Sequence, residues 1–362
     1  MLINKPNFPR YLVVRYLFFF FGLSVTCSLA LNETLTGDTF QDRSGVSLRD
    51  MVYGTADRPF VYRALTPMTV RILTQLTPEF IKQKIEMIWQ SRGLVLSTTI
   101  AHENAVEGFW TILLMLASLF GFALSLLYFL QALYHPPPLV FPFAVTLAVT
   151  CVPVFQSYYM YDFPVLFLFT LCLALLVRGN WPLYYVVFAL ACFAKETAIL
   201  LPFLCFVIFI KYRHKRILFH TIIQSSIWLI IFATLRFIYR DNPGMFLQFH
   251  LFDYNLPLLF SPSMYLNVNK YLMPTNVNIL LLIVLAVAVF WGWKEKPELL
   301  KLSSFILIPL LGMSMLFGLF FETRGYYEAY PIIYALGMHS VMRVFDVHHT
   351  TQDIVLLQKK VN

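Results

Sequence analysis

The chain has few charged residues. Asp, Glu, Lys and Arg make up 13% of its 362 residues, whereas hydrophobic residues make up 59%. A water-soluble globular protein carries about 25% charged residues, because its surface must be solvated. The shortage argues against a soluble domain and indicates a chain whose outer surface faces lipid.

Cysteine is also scarce, and its spacing argues against two kinds of site. The five cysteines lie inside or at the ends of apolar runs, with no CxxC pair. We interpret them as small buried residues rather than as disulfides or metal ligands. The formal charge of +8 does not indicate nucleic-acid binding, because the basic residues fall in short clusters between apolar runs.

Apolar runs of about 20 residues predict membrane-spanning helices. We predict an all-α polytopic membrane protein with about 10 transmembrane helices, forming a single transmembrane domain over 1–362. The predicted spans are 11–31, 108–133, 139–156, 163–178, 181–194, 197–211, 217–239, 276–293, 303–321 and 326–343. For the first of them, a cleaved signal peptide ending near Ala30 is the alternative to an uncleaved anchor.

The basic residues predict which ends of these helices face the cytoplasm. Short loops rich in Lys and Arg stay on the cytoplasmic side. With both termini inside, the inner segments carry Lys5, Arg10, Arg15, Arg178, the 211–216 cluster, Lys294, Lys296, Lys301, Arg343, Lys359 and Lys360. Two long outer segments follow from this topology, 32–107 and 240–275. In the first, residues 64–76 and 78–92 alternate apolar and charged positions, which predicts helices lying on the membrane surface.

Most unusual polar residues then fall on the outer face. Ionisable groups near lipid are costly unless paired, so those retained are usually functional or mutually paired. They occur in the long first loop, in the segment that opens the fourth span, in the turn after the fifth span and in the last outer turn. The residues concerned are Asp38, Asp42, Arg63, Tyr158, Tyr159, Tyr161, Asp162, Lys195, Glu196, Arg324, Tyr327 and Glu328.

Structural roles are the alternative for several of these residues. Asp162, two residues before Pro164, fits a helix N-cap. Lys195 and Glu196 fit a local ion pair at the membrane interface. The tyrosines of the last outer turn fit an interfacial aromatic belt.

Three motifs in this order resemble the dolichyl-phosphate-mannose-protein mannosyltransferase-like bacterial branch of the C-type glycosyltransferases (GT-C). The first is Tyr161-Asp162-Phe163-Pro164, and the second is the Lys195-Glu196 turn about thirty residues later. The third runs from Arg324-Gly-Tyr-Tyr327 to Pro331. The resemblance covers the middle third of the chain and one late loop.

The resemblance implies a GT-C-like fold and an enzyme of the bacterial inner membrane. Such an enzyme transfers a sugar from a polyprenyl-phosphate carrier to a lipid, glycan or protein acceptor on the non-cytoplasmic face. It implies a catalytic carboxylate in the first outer loop, here Asp38 or Asp42, as general base. The matched positions Tyr161, Asp162, Lys195, Glu196, Arg324 and Tyr327 are then expected to bind substrate. Arg63 lies in a segment that is not a general feature of the family, and we expect it to bind substrate as a cation for the phosphate.

The chemistry of these residue types agrees with that implication. A phosphate leaving group needs a cation, which Lys195, Arg63 or Arg324 could supply. A carboxylate must accept the proton of the acceptor hydroxyl. Asp162 could orient Lys195 or hold a divalent cation, although the sequence demands no metal. The alternatives are a polysaccharide polymerase or ligase with a lipid-diphosphate donor, and a membrane transporter or non-catalytic subunit. We expect no nucleic-acid partner.

Overall fold

Backbone groups within apolar segments have no water to bind, so each such segment closes its own hydrogen bonds as a helix. The computed structural model describes residues 10–36, 45–91, 104–135, 137, 140–155, 159–245, 249–266, 278–347 and 350–351. Within these ranges the chain forms sixteen α-helices and one pair of two-residue strands. The fold is therefore all-α, as predicted.

The α-helices are α1 (Arg10–Thr36), α2 (Leu48–Tyr53), α3 (Leu65–Leu76), α4 (Glu79–Ser91), α5 (Ala105–Leu133), α6 (Val140–Cys151), α7 (Asp162–Arg178), α8 (Trp181–Ala194), α9 (Leu200–Tyr212), α10 (Lys215–Ile238), α11 (Leu256–Leu259), α12 (Pro262–Tyr265), α13 (Ile279–Phe290), α14 (Glu298–Ser303), α15 (Leu307–Phe317) and α16 (Tyr330–Val344). Short 3-10 helices cover Phe60–Tyr62, Val152–Phe155, Glu196–Ile199, Trp293–Glu295, Ser304–Ile306 and Thr323–Tyr326. A π-helical turn covers Leu251–Asn255. Strands β1 (Tyr134–His135) and β2 (Thr350–Thr351) pair antiparallel.

Three helices among the described residues are long and apolar enough to cross a membrane: Ala105–Leu133, Lys215–Ile238 and Glu298–Phe317. The third is the continuous run of α14, a 3-10 turn and α15. Shorter apolar helices cover Phe19–Leu35, Val140–Cys151, Trp181–Ala194 and Ile279–Phe290. These apolar helices indicate a membrane-embedded protein.

Each of the ten predicted segments contains a helix, but some boundaries differ. Helix α14 begins at Glu298, before the predicted start at 303, because Glu298 pairs with Lys301 one turn later at 2.8 Å. Helix α16 begins at Tyr330 rather than at 326, because the preceding residues form a 3-10 turn and Pro331 occupies the first turn. Helix α1 runs without a break through Ala30.

Helix α7 is the central helix of the structure. Residues 162–177 are buried except at two positions, as expected for a helix that is apolar on all sides. Its neighbour α5 approaches it closely at Gly121, where a Cβ atom would lie 2.8 Å from the Phe167 ring. A larger residue at that position would push the two helices apart.

The two ends of the helices differ in charge. One end, here called the basic end, holds Arg178, Lys211 and Arg343. The Arg178 guanidinium donates to the Tyr128 carbonyl at 3.0 Å, while Lys211 and Arg343 pair with Glu298 and Glu295 at 3.5 and 3.0 Å. At the opposite end, α7 and α16 begin and α8 finishes. We call this the site end.

The first outer segment packs on the site end. Helices α3 and α4 form where amphipathic helices were predicted, and both contact α5. The segment is also bound to the residues that follow α10. The Asn242 amide donates to the Gly54 and Ala56 carbonyls at 2.9 Å, and the Arg58 guanidinium donates to the Arg240 and Gly244 carbonyls. The two long segments therefore fold together.

Candidate functional site

Arg63 joins the first outer segment to the turn after α8. Its side chain, 12% exposed, forms an ion pair of 3.0 Å with Glu196 and donates a hydrogen bond to the Tyr161 hydroxyl. Burial opposes both charges, but the pair prevails: the pKa of Glu196 is lowered and that of Arg63 is raised. Arg63 and Glu196 are therefore both charged at neutral pH.

Two arginines enclose a pair of stacked tyrosines. The rings of Tyr159 and Tyr161 lie 5.2 Å apart with an interplanar angle of 11°. The Arg63 guanidinium lies 4.7 Å from the Tyr161 ring centre, and the Arg324 guanidinium lies 4.5 Å from that of Tyr159. Cation–π attraction of this kind strengthens when water is excluded. The stack holds Arg63 and Arg324 at fixed positions.

Asp162 does not act as the N-cap of α7. The N-cap residue is Tyr161 and makes no side-chain capping bond, so the N-cap interpretation of Asp162 was wrong. The Asp162 carboxylate instead accepts the Tyr159 amide hydrogen at 3.1 Å, which fixes the tyrosine turn. Burial opposes the charge of Arg324, but Asp162 contributes to raising its pKa. Arg324 also pairs with Glu322 at 2.7 Å.

Lys195 pairs across the bundle rather than with its neighbour Glu196. Its ammonium lies 3.0 Å from a carboxylate oxygen of Glu328, and the Thr197 hydroxyl donates to that same oxygen. The Lys195 backbone is extended, with φ −164° and ψ 143°, so the side chains of Lys195 and Glu196 point to opposite sides. The local ion pair considered for Lys195 and Glu196 is therefore wrong.

Glu328 has one oxygen without a hydrogen bond. The residue is completely buried, and its Oε2 atom has no hydrogen-bond partner among the described residues. A buried acceptor left in this state costs about 1–3 kcal/mol. Tyr327, next to it, is also fully buried, and burial raises the pKa of its hydroxyl.

The structure brings the seven predicted substrate-binding residues to one end of the bundle. The catalytic candidates Asp38 and Asp42 lie outside the described residues, as does Tyr158. Glu328 was noted only as an outer-face residue. Its position four residues after Arg324, within the same motif, was the signal that could have placed it with the other site residues.

Sequence reasoning missed an aromatic ladder on α10. The Trp228 indole donates to the Glu196 carbonyl at 2.9 Å, and its ring stacks on Phe232 at 4.5 Å. The Arg236 guanidinium lies 3.8 Å from the Phe232 ring centre. The four-residue spacing of these side chains places them on one helix face, a signal that the sequence contained.

Metal ligands do not gather at this site. Within the described ranges, no three His, Cys, Asp or Glu side chains are placed to hold a metal ion. The cysteines are free thiols; Cys151 is half-buried and the other four are buried.

No family profile, curated protein or solved structure matches this chain. A functional assignment therefore depends on the arrangement of the chain's own residues.

Proposed function

We propose that the protein is a GT-C-type glycosyltransferase that moves a sugar from a polyprenyl-phosphate carrier to an acceptor on the non-cytoplasmic face. The observation that carries the proposal is the meeting of Lys195, Arg63 and Arg324 with stacked tyrosines and a partly unpaired buried carboxylate, Glu328. In this proposal the cations bind the phosphate, and the carboxylates and aromatic rings bind the sugar.

In this reaction the phosphate is the leaving group. The bond between the sugar carbon and the phosphate oxygen breaks, and a bond from that carbon to the acceptor oxygen forms. Charge developing on the phosphate is stabilised by donors that are already in place. Lys195 uses one of its three ammonium protons on Glu328, so it retains donors for a phosphate oxygen.

Carboxylates supply the remaining steps. The acceptor hydroxyl loses its proton to a first-loop aspartate, Asp42 or Asp38, which acts as general base. Glu328 holds Lys195 in place through its Oε1 atom. Glu328 is thus a positioning residue in this scheme. No step needs a metal ion.

The proposal also includes an orientation of the protein in the membrane. About ten helical segments cross the bilayer, the site end faces outward, and both termini face the cytoplasm of a bacterial inner membrane. Arg178, Lys211 and Arg343 lie next to short connections at the other end of the bundle, and basic residues in short loops favour the cytoplasmic side, which supports this orientation.

Transfer from radiolabelled polyprenyl-phosphate-linked hexoses and pentoses tests the proposal. The full chain in detergent should bind a donor and release polyprenyl phosphate. Lys195→Met should lose about 100-fold or more in transfer, as for the loss of a transition-state donor. Of Asp42→Asn and Asp38→Asn, the change that removes the base should abolish transfer and preserve donor binding.

Three results would count against the scheme. Full transfer by all three variants would reject the catalytic assignment. Absence of any binding of lipid-phosphate sugars would favour a transporter or a non-catalytic subunit. Activity only with lipid-diphosphate donors would indicate a polymerase or ligase.

A further inference from the structure

A cavity lies within the first outer segment, next to the end of α10. It has a volume of about 230 Å³ and is enclosed by α2, the 3-10 turn Phe60–Tyr62, the start of α3 and the last residues of α10. None of the residues assigned to the candidate functional site lines it. The cavity is therefore separate from the candidate functional site.

Two polar groups at this cavity have no hydrogen-bond partner within the described part of the chain. Arg71, an exposed side chain, makes no ion pair or hydrogen bond there, and its guanidinium lies 5.9 Å from the centre of the Tyr53 ring. The Tyr239 hydroxyl likewise makes no hydrogen bond there. Arg71 and Tyr239 both line the cavity, which places a cation and a hydroxyl group at the same enclosed space.

The nearby carboxylates already have partners. Glu107 accepts the Tyr53 hydroxyl hydrogen at 2.8 Å, and Asp50 accepts hydrogen bonds from Ser47 and Thr55. Neither carboxylate forms an ion pair with Arg71. The cavity therefore has a cation, Arg71, and a hydroxyl donor, Tyr239, and no carboxylate pairs with the cation. An anionic ligand would satisfy both groups.

The rest of the lining is mostly apolar. Met68 and Ile238 line the cavity and are also exposed on the outside of the molecule, at 49% and 60%. Beyond Met68, the exposed apolar face of α3 continues through Ile72 and Leu76. An apolar chain leaving the cavity would find a matching surface along α3.

Gly54 preserves the space between these groups. Its φ of +76° is a backbone conformation that favours glycine, and a Cβ atom would lie 3.2 Å from the Tyr239 ring. Gly54 is the C-cap of α2, so the chain leaves this helix without a side chain next to the Tyr239 ring.

We propose that this cavity binds the phosphate group of a phosphate-bearing ligand. Arg71 and Tyr239 donate hydrogen bonds to the phosphate, and Met68 and Ile238 contact any apolar part of the ligand. The site is independent of sugar transfer, since its residues are not those of the Lys195 network.

Binding by the purified full chain in uncharged detergent tests this site. The probes are phosphatidylglycerol and phosphatidylcholine, followed by native mass spectrometry, and radiolabelled inorganic phosphate, followed by equilibrium dialysis. Arg71→Gln should weaken phosphatidylglycerol or phosphate binding at least about tenfold, since a charge-assisted contact is lost. Tyr239→Phe, which removes one hydroxyl, should weaken it by a smaller factor.

Lys84→Gln is the matched control, because it removes one positive charge from the exposed side of α4, outside the cavity. Binding of phosphatidylglycerol alone would identify a lipid headgroup as the ligand, and binding of inorganic phosphate would identify a free phosphate. Either result supports the site if it depends on Arg71. The proposal is overturned if neither phosphatidylglycerol nor inorganic phosphate binds, or if the Arg71→Gln and Lys84→Gln variants bind them alike. A shared thermal midpoint shows that the variants are folded.

Discussion

At the scale of single residues, Lys195 and Glu328 depend on each other. Glu328 is completely buried, and the Lys195 side chain is 11% exposed. Exchanging a buried ion pair for two apolar residues is often neutral or stabilising, whereas removing one partner costs about 3–5 kcal/mol. Their contribution to stability can therefore be separated from their contribution to transfer.

We expect Lys195→Met to destabilise the protein by about 3–5 kcal/mol and Lys195→Met/Glu328→Met to recover most of that loss. Both variants should lack transfer activity. Thermal unfolding in detergent gives the stability comparison. The exposed pair Glu79 and Lys82, 3.3 Å apart on α4, is the control, and replacing both with Met should change little. A double variant as unstable as the single one would show that the pair is not coupled.

The partners of Lys195 and Glu196 also show where sequence reasoning stops. The Lys-Glu turn was recognisable, but its partners lie far along the chain, with 133 residues separating Arg63 from Glu196. Which side chain faces which partner depends on the extended backbone at Lys195. The φ and ψ angles of Lys195 thus decide which ion pairs form, and no local sequence pattern predicts those angles.

At the scale of elements, Lys296 connects α13 to α16. Its ammonium donates to the Ala288 carbonyl of α13 and to the Leu336 carbonyl and Ser340 hydroxyl of α16. It lies in the turn between α13 and α14 and is 2% exposed. Burial lowers the pKa of Lys296 to about 8.

This pKa predicts a stability that depends on pH. An unfolded lysine titrates near about 10.4, so between roughly pH 8 and that value the unfolded chain binds more protons at this site. The contribution of Lys296 to stability therefore rises with pH across this window and is constant below it. Relative to Lys296→Met, the thermal midpoint of the unmodified protein should rise by about 2 °C or more across it. Parallel curves would contradict the prediction, and Lys294→Met serves as the exposed control.

Helix positions were the most predictable feature at this scale. Long apolar runs such as the one that forms α5 must close their own hydrogen bonds in lipid, whatever they pack against. Boundaries were less predictable at α14 and α16, because an ion pair and a proline turn decide them. The missed ladder on α10 was visible as a four-residue spacing, but its contact with Glu196 is tertiary.

At the scale of the whole molecule, the alternation of helices predicts opposite locations for the site end and the basic end. We expect a cysteine placed at Lys84 to react with an impermeant maleimide on intact cells, and one at Lys294 to react only after permeabilisation. Both side chains are exposed, whereas Lys296 is too buried to label. The parent protein should have its native cysteines replaced by alanine. Labelling of both positions from one side would invert the proposed topology.

The order of synthesis gives the Lys195–Glu328 pair a further consequence. Thr197, which shares the Glu328 oxygen with Lys195, is made 131 residues before Glu328. At about 5–20 residues per second, the ribosome delivers the acid on the order of ten seconds after the base. Until Glu328 has been made, the Lys195 ammonium lacks the carboxylate with which it pairs in the complete chain. A chain that stops before Glu328 therefore keeps a cation without its acid, and the loss of one partner of a buried pair costs about 3–5 kcal/mol.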